Sequence, residues 1–184
     1  MNQITLLSGS PTEQSRSDKA LQYLGFLLKQ KGFKINHISV RDLPAEAVFY
    51  AQFDHPKITN LASQLEHSSG ILVGSPVYKG AYSGVLKAVL DLMPQDILQH
   101  KPVLPLMTGG SPSHLLALEY TLKPVLATLK AHNLKGVYLL DHQVDKTSDE
   151  PLVDPDARER AIKQLEYFIQ IIQRQQGNQE TFSI

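Results

Sequence analysis

Five times along the chain a short apolar run gives way to a segment of helical period, and that alternation limits the fold more than any other feature. Ile4-Thr5-Leu6-Leu7 is stopped by Ser8-Gly9-Ser10-Pro11. Ala20, Leu21, Leu24, Leu27 and Leu28 then form an i, i+3, i+4 stripe that Gly32 ends. Phe33 to Val40 mixes apolar and polar residues as a half-exposed strand does, and residues 41–56 are irregular, with Phe49, Tyr50 and Phe53 among them. A short helix over 57–67 leads into the buried run Gly70-Ile71-Leu72-Val73-Gly74. Ser83 caps a helix through Met93, Val103 to Met107 reads as a strand, and 113–131 as a long helix. Lys135 to Asp141 is the last strand. Asp154-Pro155-Asp156, a capping Asp with Pro in the first turn, starts a helix to about Gln175.

Strands and helices in strict alternation predict parallel strands with right-handed crossovers, hence a three-layer α/β domain. Because the second strand is patterned as an edge, the flavodoxin-like order 2-1-3-4-5 over five parallel strands is expected. Pro105 resists this, since proline cannot donate to a ladder and its strand should be internal. The expectation there is a bulge or an unpaired amide. At 184 residues the chain holds about one domain, read as residues 1–176 with a polar, flexible tail over 177–184. Cysteine is absent, which excludes disulfides, thiolate metal sites and cysteine nucleophiles. Eighteen basic residues balance eighteen acidic ones, so the basic excess of a nucleic-acid binder is missing. No apolar run exceeds the five residues Ala47 to Ala51, and no export signal is visible at the N-terminus. A cytoplasmic domain with neither membrane nor nucleic-acid partner is the expectation.

Ligands of doubly wound sheets bind outside the carboxyl ends of the strands, which makes the loops after strands 1, 3 and 4 the informative ones. The first is Gly9-Ser10-Pro11-Thr12-Glu13-Gln14-Ser15-Arg16-Ser17, followed by Asp18. Hydroxyls, one guanidinium and the free N–H groups of a helix start together make a phosphate cradle. Ser15-x-x-Asp18 is also a capping box, yet capping needs one hydroxyl and leaves Ser10 and Arg16 unexplained. The loop matches neither G-x-x-x-x-G-K-[ST] nor G-x-G-x-x-G, and it lacks a phosphatase's Cys and a response regulator's clustered Asp. After strand 3, Ser75-Pro76-Val77-Tyr78-Lys79-Gly80-Ala81-Tyr82-Ser83-Gly84 offers the partly aromatic wall that a flat heterocycle wants. After strand 4, Thr108-Gly109-Gly110-Ser111-Pro112-Ser113-His114 brings backbone N–H groups close to a ligand, where they can meet charge developing on a reduced flavin.

Taken in order, G-S-P-x-x-x-S-R-S, S-P-V-Y-K-G-A-Y-S-G-V-L-K, L-P-L-x-T-G-G and H-L-L-A-L-E-Y-T-L-K-P-V-L resemble the NAD(P)H-dependent FMN reductases over about residues 4–140. The similarity is greatest to the reductase partners of two-component alkanesulfonate monooxygenases. The resemblance implies a flavodoxin-like enzyme that moves a hydride from NADPH, or from NADH, to flavin N5 and releases reduced FMN to a monooxygenase. It assigns Ser10, Ser15, Arg16 and Ser17 to the FMN phosphate, Pro76, Val77, Tyr78 and Lys79 to the flavin ring, and Thr108, Gly109 and Gly110, with adjoining Ser111, to the second ring contact. It assigns no side chain as a catalytic acid, base or nucleophile. Where related chains often carry Arg after G-S-P this one has Thr12, which predicts weaker phosphate binding.

Other constellations carry less. Ser111 stands where a hydrolase nucleophile would, but Pro112 has no N–H for an oxyanion hole. The seven His show no metal-ligand spacing, so no metal is expected, and His114 stays a contact candidate only. Helices 83–93 and 113–131 look too apolar for one-sided burial, which predicts a homo-oligomer, dimer or tetramer. Pro124 cannot donate to the Tyr120 carbonyl, so the second helix should be kinked or π-bulged near Tyr120. The resemblance implies that this tyrosine lies at a tetramer interface beside the flavin. Rival readings are an electron carrier with permanent FMN and a quinone or azo reductase using bound FMN.

Overall fold

The computed structural model describes residues 2–181. Its central strands are buried on both faces, and their pleat sorts neighbouring side chains into two cores. Leu6, Leu72, Leu104, Leu106 and Leu139 enter one, while Leu7, Ile71, Val73, Val103, Met107 and Tyr138 enter the other. The strands are β1 (Gln3–Ser8), β2 (Lys34–Ser39), β3 (Gly70–Pro76), β4 (Pro102–Gly109), β5 (His132–Asn133) and β6 (Val137–Leu140). All pair in parallel in the order β2-β1-β3-β4-β5, and β6 also pairs with β4. The expected order 2-1-3-4-5 is present, with the fifth position shared by two short strands.

Pro105 marks the split. Thr108 O accepts from Val77 on the β3 side of β4, and Val103 O accepts from Leu134 on the other side. By that alternation Pro105 turns its missing N–H away from β3, towards the gap between β5 and β6. Across the gap Leu134, Lys135 and Gly136 face only Leu104 and Pro105, which is a bulge. Gly136 has φ +84, and a Cβ there would lie 2.8 Å from Pro105 O. Only glycine fits.

Helices α1 (Arg16–Gln30) and α7 (Pro155–Thr181) cover one face. Asp154 Oδ1 accepts from Ala157 N at 2.7 Å, as the Asp-Pro-Asp start predicts. Helix α7 passes the expected end near Gln175, and residues 182–184 of the expected tail lie outside the described residues. The other face carries α2 (Ala45–Phe49), α3 (Pro56–Glu66), α4 (Gly84–Leu90), α5 (Leu115–Ala117) and α6 (Lys123–Thr128). Helix α2 falls in the stretch expected to be irregular. A π-helical turn, Leu118–Leu122, joins α5 to α6, so the long helix is distorted at Tyr120 as Pro124 requires. Among described helices none is long and apolar enough to cross a membrane.

The apolar excess of the expected helix 83–93 is absorbed by the chain itself: Leu86, Val89, Leu90, Leu92 and Met93 are buried, and only Val85 among its large apolar side chains is exposed. Its excess therefore does not call for a second subunit. Helix α5 and the π-helical turn differ, with Leu115, Leu116 and Tyr120 at 47%, 57% and 75% exposure.

Candidate active site at the carboxyl edge of the sheet

Strand β1 delivers the chain to Gly9, whose N–H donates to Gly74 O at 2.7 Å. Serine 83 then ties the edge together. Its Oγ donates to Gly9 O and accepts from Leu86 N as the cap of α4, while its N–H donates to Ser75 Oγ at 3.0 Å. One buried hydroxyl thus fixes the first loop to the second. Sequence reading saw Ser83 only as a helix cap, because its bond to Gly9 spans 74 residues.

In the first loop Ser15 caps α1, accepting from Asp18 N at 3.1 Å. Only half of the capping box forms, because the Asp18 carboxylate turns to His37 Nε2 and Gln22 Nε2, both at 2.8 Å. Burial pushes the Asp18 carboxyl up, but hydrogen bonds from His37, Ser8 and Gln22 outweigh it and hold the group below the usual carboxylate range. Ser17 is buried with its Oγ 3.3 Å from Ser15 Oγ. Ser10 is buried too, and its Oγ accepts from Thr12 N at 3.2 Å. Thr12 therefore helps shape the turn and adds no charge. Arg16 has a buried Nε without a partner among the described residues. A desolvated guanidinium nitrogen left open at a helix start is what an incoming phosphate would satisfy. Beside Ser15 opens a cleft of about 530 Å³, where Lys19, Arg41 and Lys146 outnumber Glu13 and Asp18. Arg41 also reaches Glu13 at 3.5 Å. A roomier cavity of about 620 Å³ lies along α1 and β2, where no site loop lines it.

The second loop makes a tight reversal. Tyr78 N–H donates to Ala81 O at 2.8 Å and Ala81 N–H returns to Tyr78 O at 3.1 Å. Lys79 and Gly80 between them take φ of 51 and 79, the left-handed pair of a type I′ turn. Tyr78 and Lys79 are thereby presented outward, while Pro76 and Val77 form the half-buried base. In the third loop Thr108 and Gly109 are buried and Gly110 and Ser111 reach the surface. Val77 N–H donates to Thr108 O at 2.8 Å, which joins the second loop to the third. Tyr138 donates its hydroxyl to Ser111 O at 2.6 Å from beneath.

All twelve sequence-predicted binding residues therefore lie on three adjoining loops or on the element ends that flank them, Arg16 and Ser17 opening α1, Pro76 closing β3, and Thr108 and Gly109 closing β4. The sequence model described as NADPH-dependent FMN reductase matches residues 2–145. The chain belongs to the NADPH-dependent FMN reductase family. It is 42% identical over 172 residues to an FMN reductase (NADPH) of Escherichia coli K12, covering 93% of this chain and 90% of that one. To an FMN reductase (NADPH) of Pseudomonas putida KT2440 it is 42% identical over 142 residues, covering 77% and 72%. Among solved structures, the apo form of an NADH:FMN oxidoreductase superposes with a TM-score of 0.80 at 30% identity, covering 91% of this chain and 88% of that one.

For a member of the FMN reductase family the donor set fits the ligand. The first loop supplies hydroxyls, a helix start and a guanidinium, and the glycines leave room. A Cβ at Gly9 would lie 2.7 Å from Leu86 Cδ2, and one at Gly109 would lie 2.7 Å from the Tyr138 hydroxyl. Either would push the first or third loop out of place.

Proposed function

We propose that this reductase binds free FMN at the three-loop edge, reduces it with NADPH or NADH, and releases the reduced flavin to a flavin-dependent monooxygenase of the alkanesulfonate type. The unpartnered Arg16 Nε in a loop of hydroxyls is the observation that carries the reading, because it asks for an anion where the family binds a flavin phosphate. Ser10, Ser15, Arg16 and Ser17 would hold the phosphate. Pro76, Val77, Tyr78 and Lys79 would wall the ring, and the backbone from Thr108 to Ser111 would face its polar edge. When bound, FMN supplies the hydride-accepting atom. The chain supplies position and a polar edge, and needs no side-chain acid or base for the transfer.

The decisive experiment follows NADPH consumption by the purified protein as free FMN is added. Saturable consumption that rises with FMN supports the reading. Protein that purifies with flavin retained and ignores added FMN would instead be an electron carrier. Self-association through the exposed Leu115, Leu116 and Tyr120 belongs to the same proposal, with Tyr120 covered by another copy near the flavin sites.

A further inference from the structure

Asp18 brings a negative charge to the helix start that a flavin phosphate would also use. It stands in the first turn of α1, lines the cleft beside Ser15, and donates its own N–H to Ser15 Oγ. A carboxylate and a phosphate drawn to the same positive helix end repel each other. His37 is placed to change that repulsion. Its Nε2 lies 2.8 Å from Asp18 Oδ1, and because an ionised carboxylate only accepts, Nε2 carries the hydrogen. The other ring nitrogen, Nδ1, makes no hydrogen bond among the described residues, and the side chain is 31% exposed. A proton can therefore enter at Nδ1 while the bond to Asp18 is kept. Gln22 Nε2, at 2.8 Å, holds the second carboxylate oxygen in both states. Protonation thus alters the charge of the pair and leaves its hydrogen bonds as they are.

The charged groups around the pair come from several elements. Helix α1 gives Lys29 and β2 gives Lys34 to the cavity that His37 lines. Around Asp18, α1 gives Lys19, the first loop Glu13, the chain after β2 Arg41 and the chain after β6 Lys146. His37 is the only histidine on either wall, and histidine is the side chain whose charge ordinarily changes between pH 5 and 8.

We propose that His37 is a positioning residue that acts on the flavin phosphate through Asp18: its protonation offsets the carboxylate and strengthens the binding of a phosphate dianion at the start of α1. This rests on the proposed binding of the FMN phosphate at the first loop, and it makes that binding proton-linked. His37 touches no part of the flavin. Its influence is electrostatic, so it falls on ligands that carry the phosphate and weakens as salt screens the charges.

The test is equilibrium binding of FMN and of riboflavin, between about pH 6.5 and 8.5, to the wild type and to His37→Gln. The glutamine amide can still donate to Asp18 but cannot take up a proton. Titration of the FMN phosphate itself is common to both proteins and cancels between them. As pH rises, the wild type should lose about threefold more FMN affinity than the variant, the effect of one screened charge on a dianion, and high salt should shrink the difference. Riboflavin should show no such difference. Equal pH dependence of FMN binding in the two proteins, or the same extra loss with riboflavin, would overturn the role of His37. Linkage is reciprocal, so the wild type alone gives a second measurement: bound FMN should move the titration of the His37 imidazole, followed by NMR, to higher pH by about half a unit, and riboflavin should not. A titration that FMN leaves unmoved overturns the proposal even if the glutamine variant does not fold. A wild type that binds neither flavin would overturn the FMN reading itself, a result distinct from FMN binding that ignores the state of His37.

Discussion

Arg16 and Asp18 stand two residues apart at the start of α1 and do opposite electrostatic work. Arg16 keeps a desolvated nitrogen open, whereas Asp18 spends its carboxylate on His37 and Gln22. Arg16→Ala should remove one charge-assisted hydrogen bond, about 1.5–3 kcal/mol, and weaken FMN by roughly tenfold to a hundredfold. Riboflavin, which lacks the phosphate, should bind the variant almost as it binds the wild type. Titrating both flavins separates the roles, since equal losses would make Arg16 structural. For Asp18 the sign follows from its depressed folded-state pKa: its contribution is complete above the unfolded value of about 3.9 and is lost as pH falls through the folded value. Wild type should therefore exceed Asp18→Asn in stability at pH 6, and the gap should close in acid. Urea unfolding at both pH values measures it, and a gap constant with pH would contradict the assignment.

The bulged fifth strand has its cause in two residues that meet only in the fold. Pro105 withholds an N–H, and Gly136 supplies the left-handed turn that carries the chain past it. Gly136→Ala should cost about 2 kcal/mol or more through φ strain and the close approach to Pro105, lowering Tm by roughly 4–8 °C. A thermal melt unchanged from wild type would show that the bulge yields freely. What could be read beforehand follows the same division between local and distant causes. Ile71 to Val73 announce a buried strand by themselves, Asp154-Pro155 announces a helix start, and Pro124 announces a defect one turn earlier, because each effect is local. The three site loops were legible because topology fixes which strand ends share an edge. The tie from Ser83 to Gly9 and the burial of His114 Nδ1 were not legible, since both depend on residues brought together by the sheet. Helix α2 escaped notice because five residues are too few to show a period.

For the molecule as a whole, two segments of the same helical face differ in what they leave uncovered. Helix α4 has most of its large apolar residues buried, while α5 and the π-helical turn leave Leu115, Leu116 and Tyr120 in solvent. If other copies cover them, Tyr120→Asp should shift the protein to a smaller species in sedimentation, with flavin binding per chain changed less than its assembly. A wild type that sediments as a monomer would remove the basis for that expectation. The split strand also bears on how the protein avoids unwanted association. A sheet's outermost strand can act as a template for foreign chains, and long, flat, apolar margins are the hazardous ones. Here one margin is broken into pieces of two and four residues by the bulge at Pro105, and the other, β2, carries Lys34, Asn36 and His37. Neither offers an uninterrupted apolar seam, so a sheet built for cofactor chemistry is guarded against growing into a fibre.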